Sequence, residues 1–160
     1  METILSLDIS TKSTGVAVFQ NSKLIHYECI TASSVNVYNR IEKITERVAA
    51  LLDEYKPTIV IAEEPEPAFV KNNIDVYRKL TFAHGANCME LNKRHLTMEL
   101  CSSSHWRKMV GIKTGRGIAR TELKKKDIEL VKQLYNIDVN DDIADAILIG
   151  KSIADNVSAF

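Results

Sequence analysis

Acidic residues stand at three places in this sequence where they could do chemistry together. Asp8 closes the short apolar and β-branched run Thr3-Ile4-Leu5-Ser6-Leu7, and Glu63 and Glu64 close a second run, Thr58-Ile59-Val60-Ile61-Ala62. Asp142 and Asp145 stand at the start of a helical pattern whose apolar members are Ile143, Ala146, Ile147 and Gly150. Side chains three apart on a helix share a face, and ligand sites of open α/β sheets gather outside the carboxyl ends of strands. If the two strands are neighbours, acids from all three places converge. Carboxylates brought within a few ångströms raise one another's pKa unless a cation sits among them. Mg²⁺ or Mn²⁺ resolves this, because a hard divalent ion prefers oxygen ligands and is held by a few carboxylates plus substrate phosphate oxygens. Two such ions about 3.5–4 Å apart activate a water and stabilise the leaving oxygen of a phosphodiester. The other acids read differently: Asn140 or Asp141, with Asp141 preferred, is expected to cap the last helix, and Glu66 to be solvated.

The elements needed to position these acids can be read along the chain. Thr3 to Asp8 is expected to be a buried strand. Val16 to Phe19 and Lys23 to Cys29, joined by Gln20-Asn21-Ser22, are expected to form a hairpin. Ile41, Ile44, Val48, Leu51, Leu52 and Tyr55 recur at helical spacing from about Asn39 to Tyr55, and Lys56-Pro57 stops that helix. The continuous apolar run Thr58 to Ala62 suits a central strand covered on both faces. A long helix follows from about Asn73 to Lys93, then a short strand from Leu96 to Cys101. Ser102-Ser103-Ser104 offers caps for a helix through His105-Trp106-Arg107-Lys108. Amphipathic helices over Glu122 to Tyr135 and Asp142 to about Asn156 complete the chain. The order is α/β: a three-strand antiparallel meander feeding parallel strands, five strands in one mixed sheet with helices on both faces. Residues 1–160 fit a single domain.

Composition narrows the function classes. With 45% apolar and 26% charged residues the chain has a globular balance. No apolar run reaches the roughly 18 to 20 residues of a bilayer span, and the N-terminus shows no basic leader, so no membrane association is expected and the location expected is the cytoplasm. Cys29, Cys88 and Cys101 lack metal-finger spacing and read as small buried apolar side chains. The 21 basic and 21 acidic residues cancel, yet charge is segregated. Arg107, Lys108, Lys113, Arg116, Arg120, Lys124, Lys125, Lys126 and Lys132 face only Glu122, Asp127 and Glu129 in the same stretch, while acids cluster at 63–66 and 138–145. One part of the surface is expected to grip phosphates while another binds cations.

Three of these segments resemble a known family. Asp8-Ile9-Ser10-Thr11 through Thr14-Gly15-Val16-Ala17-Val18-Phe19, Ile59-Val60-Ile61-Ala62-Glu63-Glu64-Pro65 and Asp142-Ile143-Ala144-Asp145-Ala146-Ile147 are similar to the acidic motifs of RuvC-type Holliday junction resolvases. Trp106-Arg107-Lys108-Met109-Val110-Gly111 is similar to the family's Lys-rich segment before a basic helix, and the family's usual Asp-Pro-Gly after strand one is Asp-Ile-Ser here. The resemblance implies an RNase H-like fold, a homodimer, and cleavage of four-way DNA junctions with Mg²⁺ or Mn²⁺, two ions per site. It implies Asp8, one glutamate of the 63/64 pair, Asp142 and Asp145 as catalytic metal ligands. The family pattern favours Glu63. Strand alternation favours Glu64, because small Ser6 and Ala62 lie two positions before Asp8 and Glu64. Glu63 is preferred narrowly, with Glu64 as the alternative.

The function expected is therefore a metal-dependent, structure-selective endonuclease acting on four-way junctions and other branched DNA, as a symmetric dimer nicking two opposed strands. If the gene is phage-borne, the location is the host cytoplasm. Arg107, Lys108, Lys113, Arg116, Arg120, Lys124, Lys125 and Lys126 are the expected phosphate contacts. Phe69 resembles an aromatic that the family uses near the branch point, where it would stack on an opened base. The dimer contact is expected on the long helix, through Tyr77, Leu80, Phe82 and Met89. Two rivals are a non-catalytic junction-binding protein, which would bind no metal, and an actin-like-fold phosphotransferase. The latter calls for glycine-rich phosphate turns, and Gly15 stands alone after Asp8.

Overall fold

The computed structural model describes residues 2–66 and 73–157. Its element order is β1 (Thr3–Asp8), β2 (Ser13–Gln20), β3 (Lys23–Thr31), α1 (Val37–Tyr55), β4 (Ile59–Glu63), α2 (Ile74–Asn92), β5 (Met98–Cys101), α3 (Ser103–Met109), α4 (Arg120–Tyr135) and α5 (Asp141–Val157). The strands form one sheet in the order β3-β2-β1-β4-β5. Pairs β1–β2 and β2–β3 are antiparallel, and β1–β4 and β4–β5 are parallel. This is the mixed sheet expected from the sequence. The β2–β3 turn places Asn21 and Ser22 at φ 48° and 63°, the left-handed pair that a two-residue hairpin loop favours. Lys56 closes α1 in the left-handed region, with its N–H bonded to the Leu52 carbonyl, just before Pro57 prevents any continuation.

Alternation along the strands sends side chains to two cores. Leu5, Leu7, Val16, Val18, Val60 and Ala62 pack against α1 and α2 through Ile44, Val48, Leu51, Ala83 and Leu91. On the other face Ile4, Ala17, Phe19 and Ile61 meet Trp106 of α3, Val131 of α4 and the apolar stripe Ala144, Ile147 and Leu148 of α5. Helix α5 lies close on the sheet where the small residues Ser6, Ala146 and Gly150 meet. Ser6 Oγ donates to the Ala146 carbonyl at 2.7 Å, and a Cβ on Gly150 would stand 2.6 Å from both Ser6 Oγ and the Phe19 ring. The strand expected over Leu96 to Cys101 is shorter, because Leu96 closes the end of α2, its N–H bonded to the Leu91 carbonyl. Of the cysteines, only Cys101 is buried; Cys88 is exposed on α2 and Cys29 is half-buried, so the expectation of three buried thiols holds for one. Among the described residues no helix is long and apolar enough to cross a membrane.

Candidate active site

Asp8 and Glu63 are brought together by register. Leu7 of β1 pairs with Ala62 of β4, so the next residues, Asp8 and Glu63, end adjacent parallel strands. Both point to the α5 face, since Asp8 follows Ile4 and Ser6 by twos and Glu63 follows Ile61, and Ile4 and Ile61 belong to that core. Glu64 falls on the opposite parity. It is exposed at the rim of the same cleft, and its N–H donates to the Cys101 carbonyl at 2.8 Å. Ser6 and Ala62, whose small size was the argument for Glu64, lie on opposite faces of the sheet: Ser6 under α5, Ala62 in the core with α1.

Helix α5 supplies the remaining acids from its first turns. Asn140, not Asp141, caps it, its Oδ1 accepting from the Ile143 N–H at 2.9 Å. Asp141 is turned outward and pairs with Lys124 of α4. Asp142 lines the cleft with Asp8 and Glu63, and its Oδ2 accepts from Ser13 Oγ at 2.6 Å. The Cys29 thiol lies 3.9 Å from the same oxygen. Asp145 is buried one turn further in. Its Oδ2 stands 3.6 Å from Arg107 Nη2, while its Oδ1 is buried without a hydrogen-bond partner among the described residues.

The electrostatics show how strained this grouping is without a counter-charge. Burial, then the charges of Glu63 and Asp142, push the Asp8 carboxyl up to about 7, and Lys124 and Arg120 offset this only partly. Burial, then Asp8 and Asp127, push Asp145 well above the carboxylate range. Glu63 is also raised by burial, against the opposing effect of the Trp106 indole N–H, which donates to its Oε2 at 2.8 Å. An all-oxygen donor set, mutual repulsion and an orphaned buried Oδ1 together fit a hard divalent cation. Among the described residues no three acid, His or Cys side chains yet close on a common ion position.

The basic residues divide into two groups. Lys108, Lys113, Arg116, Arg120 and Lys125 are exposed. Lys108 and Lys113 border a groove with Ser102, Ser104 and Thr114, and Arg120 and Lys124 line the acid cleft. Lys126 is half-buried and bonded to Glu122 at 2.7 Å. Arg107 is the exception: it is buried, with Nε and Nη2 bonded to the two oxygens of Asp127 at 3.2 and 2.8 Å. The expectation that it touches DNA is therefore corrected. Its neighbour Trp106 is fully buried, so the inward face of this short helix carries Arg107 into the core too. Phe69 lies outside the described residues. Three residues of the site had no site role in the sequence reading: Ser13, Asp127 and His84. His84 of α2 lines the cleft, and burial pushes its imidazole down to about 4, keeping it neutral.

Comparison with known proteins follows the same outline. The family model described as crossover junction endodeoxyribonuclease RuvC matches residues 4–152. Thermus thermophilus RuvC solved in complex with a Holliday junction substrate is similar at a TM-score of 0.80 and 18% identity, over 99% of this chain and 96% of that one. A structure of Thermus thermophilus RuvC matches at a TM-score of 0.74 and 18% identity, over 98% and 96%. The yeast mitochondrial Holliday junction resolvase Ydc2 matches at 0.55 and 14% identity, over 94% of this chain and 77% of its own. Among curated protein sequences none matches.

Proposed function

The chain belongs to the RuvC family of crossover junction endodeoxyribonucleases, which resolve Holliday junctions, and we propose that Asp8, Glu63, Asp142 and Asp145 carry its cleavage as ligands of divalent cations. The observation that carries this reading is the acid cleft itself: three carboxylates on one sheet face and helix start, with the partnerless Asp145 Oδ1 behind them. Mg²⁺ or Mn²⁺, when bound, supplies Lewis-acid activation of water and stabilisation of the leaving oxygen. The protein's own residues do the rest. Asp8 and Glu63 are fixed by β1–β4 pairing, Asp142 by Ser13, and Arg120 and Lys124 at the cleft wall hold the substrate phosphate against the acids. His84, neutral and buried, adds no charge to compete with a cation.

The substrate expected is a four-way junction. Gel assays on synthetic four-way, three-way and linear duplex DNA with and without Mg²⁺ test this directly. Paired nicks in the four-way junction that require the ion support the reading. Tight, shape-selective binding with no cleavage in Mg²⁺ or Mn²⁺ would replace it with a junction-binding role.

The exposed cations outside the cleft bind backbone without reading sequence. Changing Lys108, Lys113 and Lys125 together to Gln is expected to weaken binding to every DNA shape. The slope of log affinity against log salt should fall by roughly 0.9 for each phosphate that the protein no longer neutralises. An unchanged slope would show that these lysines face away from the DNA.

One acid cluster nicks one strand, so symmetric resolution calls for two protomers related by a twofold axis. The surface proposed for that contact is α2, where Ile74, Phe82 and Met89 are exposed; Val76, Tyr77 and Leu80 instead line the cleft. Sedimentation at micromolar concentration should give a dimer, and Phe82→Glu with Met89→Glu should give a monomer that makes single nicks. A monomeric wild type that still makes paired nicks would remove both the dimer and this surface.

A further inference from the structure

Helix α3 reaches the acid cluster with two consecutive side chains. The Trp106 indole N–H donates to Glu63 Oε2 at 2.8 Å, and Arg107 Nη2 stands 3.6 Å from Asp145 Oδ2. Both side chains are buried, and neither is free to swing. The guanidinium lies 4.1 Å from the centroid of the Trp106 ring. It is also gripped through two of its nitrogens by Asp127 of α4, which is fully buried. The start of α3 is fixed by Ser102, whose Oγ accepts from the His105 N–H at 3.3 Å.

The chemistry of these two groups limits what they can do. An indole N–H and a guanidinium are donors only, so neither can become a cation ligand or a general base. Each can aim a carboxylate. Trp106 engages Oε2 of Glu63 rather than Oε1, and Arg107 lies beside Oδ2 of Asp145 while Oδ1 keeps no partner among the described residues. We propose that Trp106 and Arg107, anchored by Asp127, are positioning residues that each hold one oxygen of Glu63 or Asp145 so that the other is presented to a divalent cation. This rests on the reading that these acids bind such ions. Outer donors of this kind fix ligand orientation, and their loss costs about ten- to a hundredfold in metal affinity. The arrangement also joins α4, which carries exposed cations, to the acids through one rigid path, Asp127 to Arg107 to Asp145.

The test uses the whole protein without DNA. Trp106 is its only tryptophan, so tryptophan emission reports on Glu63, and paramagnetic Mn²⁺ bound there should quench it. Free Mn²⁺, followed by electron paramagnetic resonance in the same titration, gives the affinity. Wild type should bind saturably with parallel quenching. Trp106→Phe and Asp127→Asn should each weaken Mn²⁺ binding by about ten- to a hundredfold, and Arg107→Lys, which keeps the charge but loses the fork, should weaken it less than Arg107→Gln. Junction binding in EDTA should stay at the wild-type level, because none of these side chains reaches the surface that grips DNA. Folded variants, judged by circular dichroism, that bind Mn²⁺ like the wild type overturn the positioning role. If Trp106→Phe or Asp127→Asn does not fold, Arg107→Lys against Arg107→Gln decides alone. A wild type that binds no Mn²⁺ overturns the underlying assignment of the acids and this inference with it.

Discussion

Asp8→Asn, Asp142→Asn and Asp145→Asn are each expected to reduce junction cleavage on the order of a thousandfold or more while leaving junction binding intact or tighter. Each change keeps the side chain's shape and removes one ligand oxygen charge, so the barrier rises by about 4 kcal/mol or more. Repulsion of the DNA phosphates falls at the same time. Glu63→Gln should behave likewise, and Glu64→Gln should stay near wild type, because only Glu63 shares the α5 face with Asp8. Single-turnover cleavage and a binding gel run in Ca²⁺ measure the two effects separately. Near wild-type cleavage by any of the Asn variants would remove that residue from the ligand set, and equal mild losses from Glu63→Gln and Glu64→Gln would remove the β4 ligand altogether.

The substitutions at Asp8 and Asp145 carry a stability signature of opposite sign. Asp8 titrates at about 7 in the folded chain and Asp145 is raised as well, against about 3.9 for an unfolded aspartate. Below that unfolded value both states are protonated and nothing is lost. As pH rises, the unfolded chain sheds these protons first, so the metal-free fold loses stability from about pH 4 through pH 7 and beyond. Asp145→Asn should therefore raise the metal-free melting temperature at neutral pH and flatten its pH dependence, at about 2–4 °C per kcal/mol in a chain of this size. Added Mg²⁺ should stabilise the wild type and do little for the variant. This is the trade expected of a site whose charges await a cation.

Much of this site could be read from residue order alone, and the parts that could not share a physical cause. Strand runs ending in Asp8 and Glu63 are visible because a short apolar run stops at a charge, and Asp142 and Asp145 are visible because an acid interrupts a strongly apolar helix. What a single strand cannot reveal is its neighbour's register. The choice between Glu63 and Glu64 turned on whether Ser6 and Ala62 face the same side, and the pairing of Leu7 with Ala62 places them on opposite sides. Arg107 misled for a related reason. In a run of cations each is assumed to be solvated, and α3, at seven residues, is too short to show which of its faces turns inward. Its partner Asp127 is hidden after Lys124-Lys125-Lys126, where a weakly amphipathic helix gives no sign that one acid is fully buried. The cap of α5 fell to Asn140 because Asp141 had a better partner in Lys124, a contact between elements that local pattern does not encode.

Gly15→Ala is expected to inactivate the protein by moving α5. Gly15 of β2 lies opposite Asp8 in the antiparallel register, and a Cβ there would stand 1.8 Å from the Asp142 carbonyl oxygen and 2.4 Å from its carbon. Those are backbone atoms, so no side chain can rotate away. Either β2 or the first turn of α5 must shift by an ångström or more. A shift of that size costs about a hundredfold in rate when it misplaces catalytic groups, and about 1–3 kcal/mol in stability as overpacking. It would also break the 2.6 Å bond from Ser13 to Asp142 two residues away on the same strand. Gly150→Ala is the matched control. Its Cβ meets the Phe19 ring at 2.6 Å and Ser6 Oγ at 2.6 Å, side-chain atoms that can give way where the backbone at Asp142 cannot, so it should lower the melting temperature while costing far less activity. If both variants lose cleavage in proportion to stability, the close approach at Gly15 serves folding alone. If Gly15→Ala loses far more, the glycine is there to let the last helix bring Asp142 and Asp145 down to Asp8.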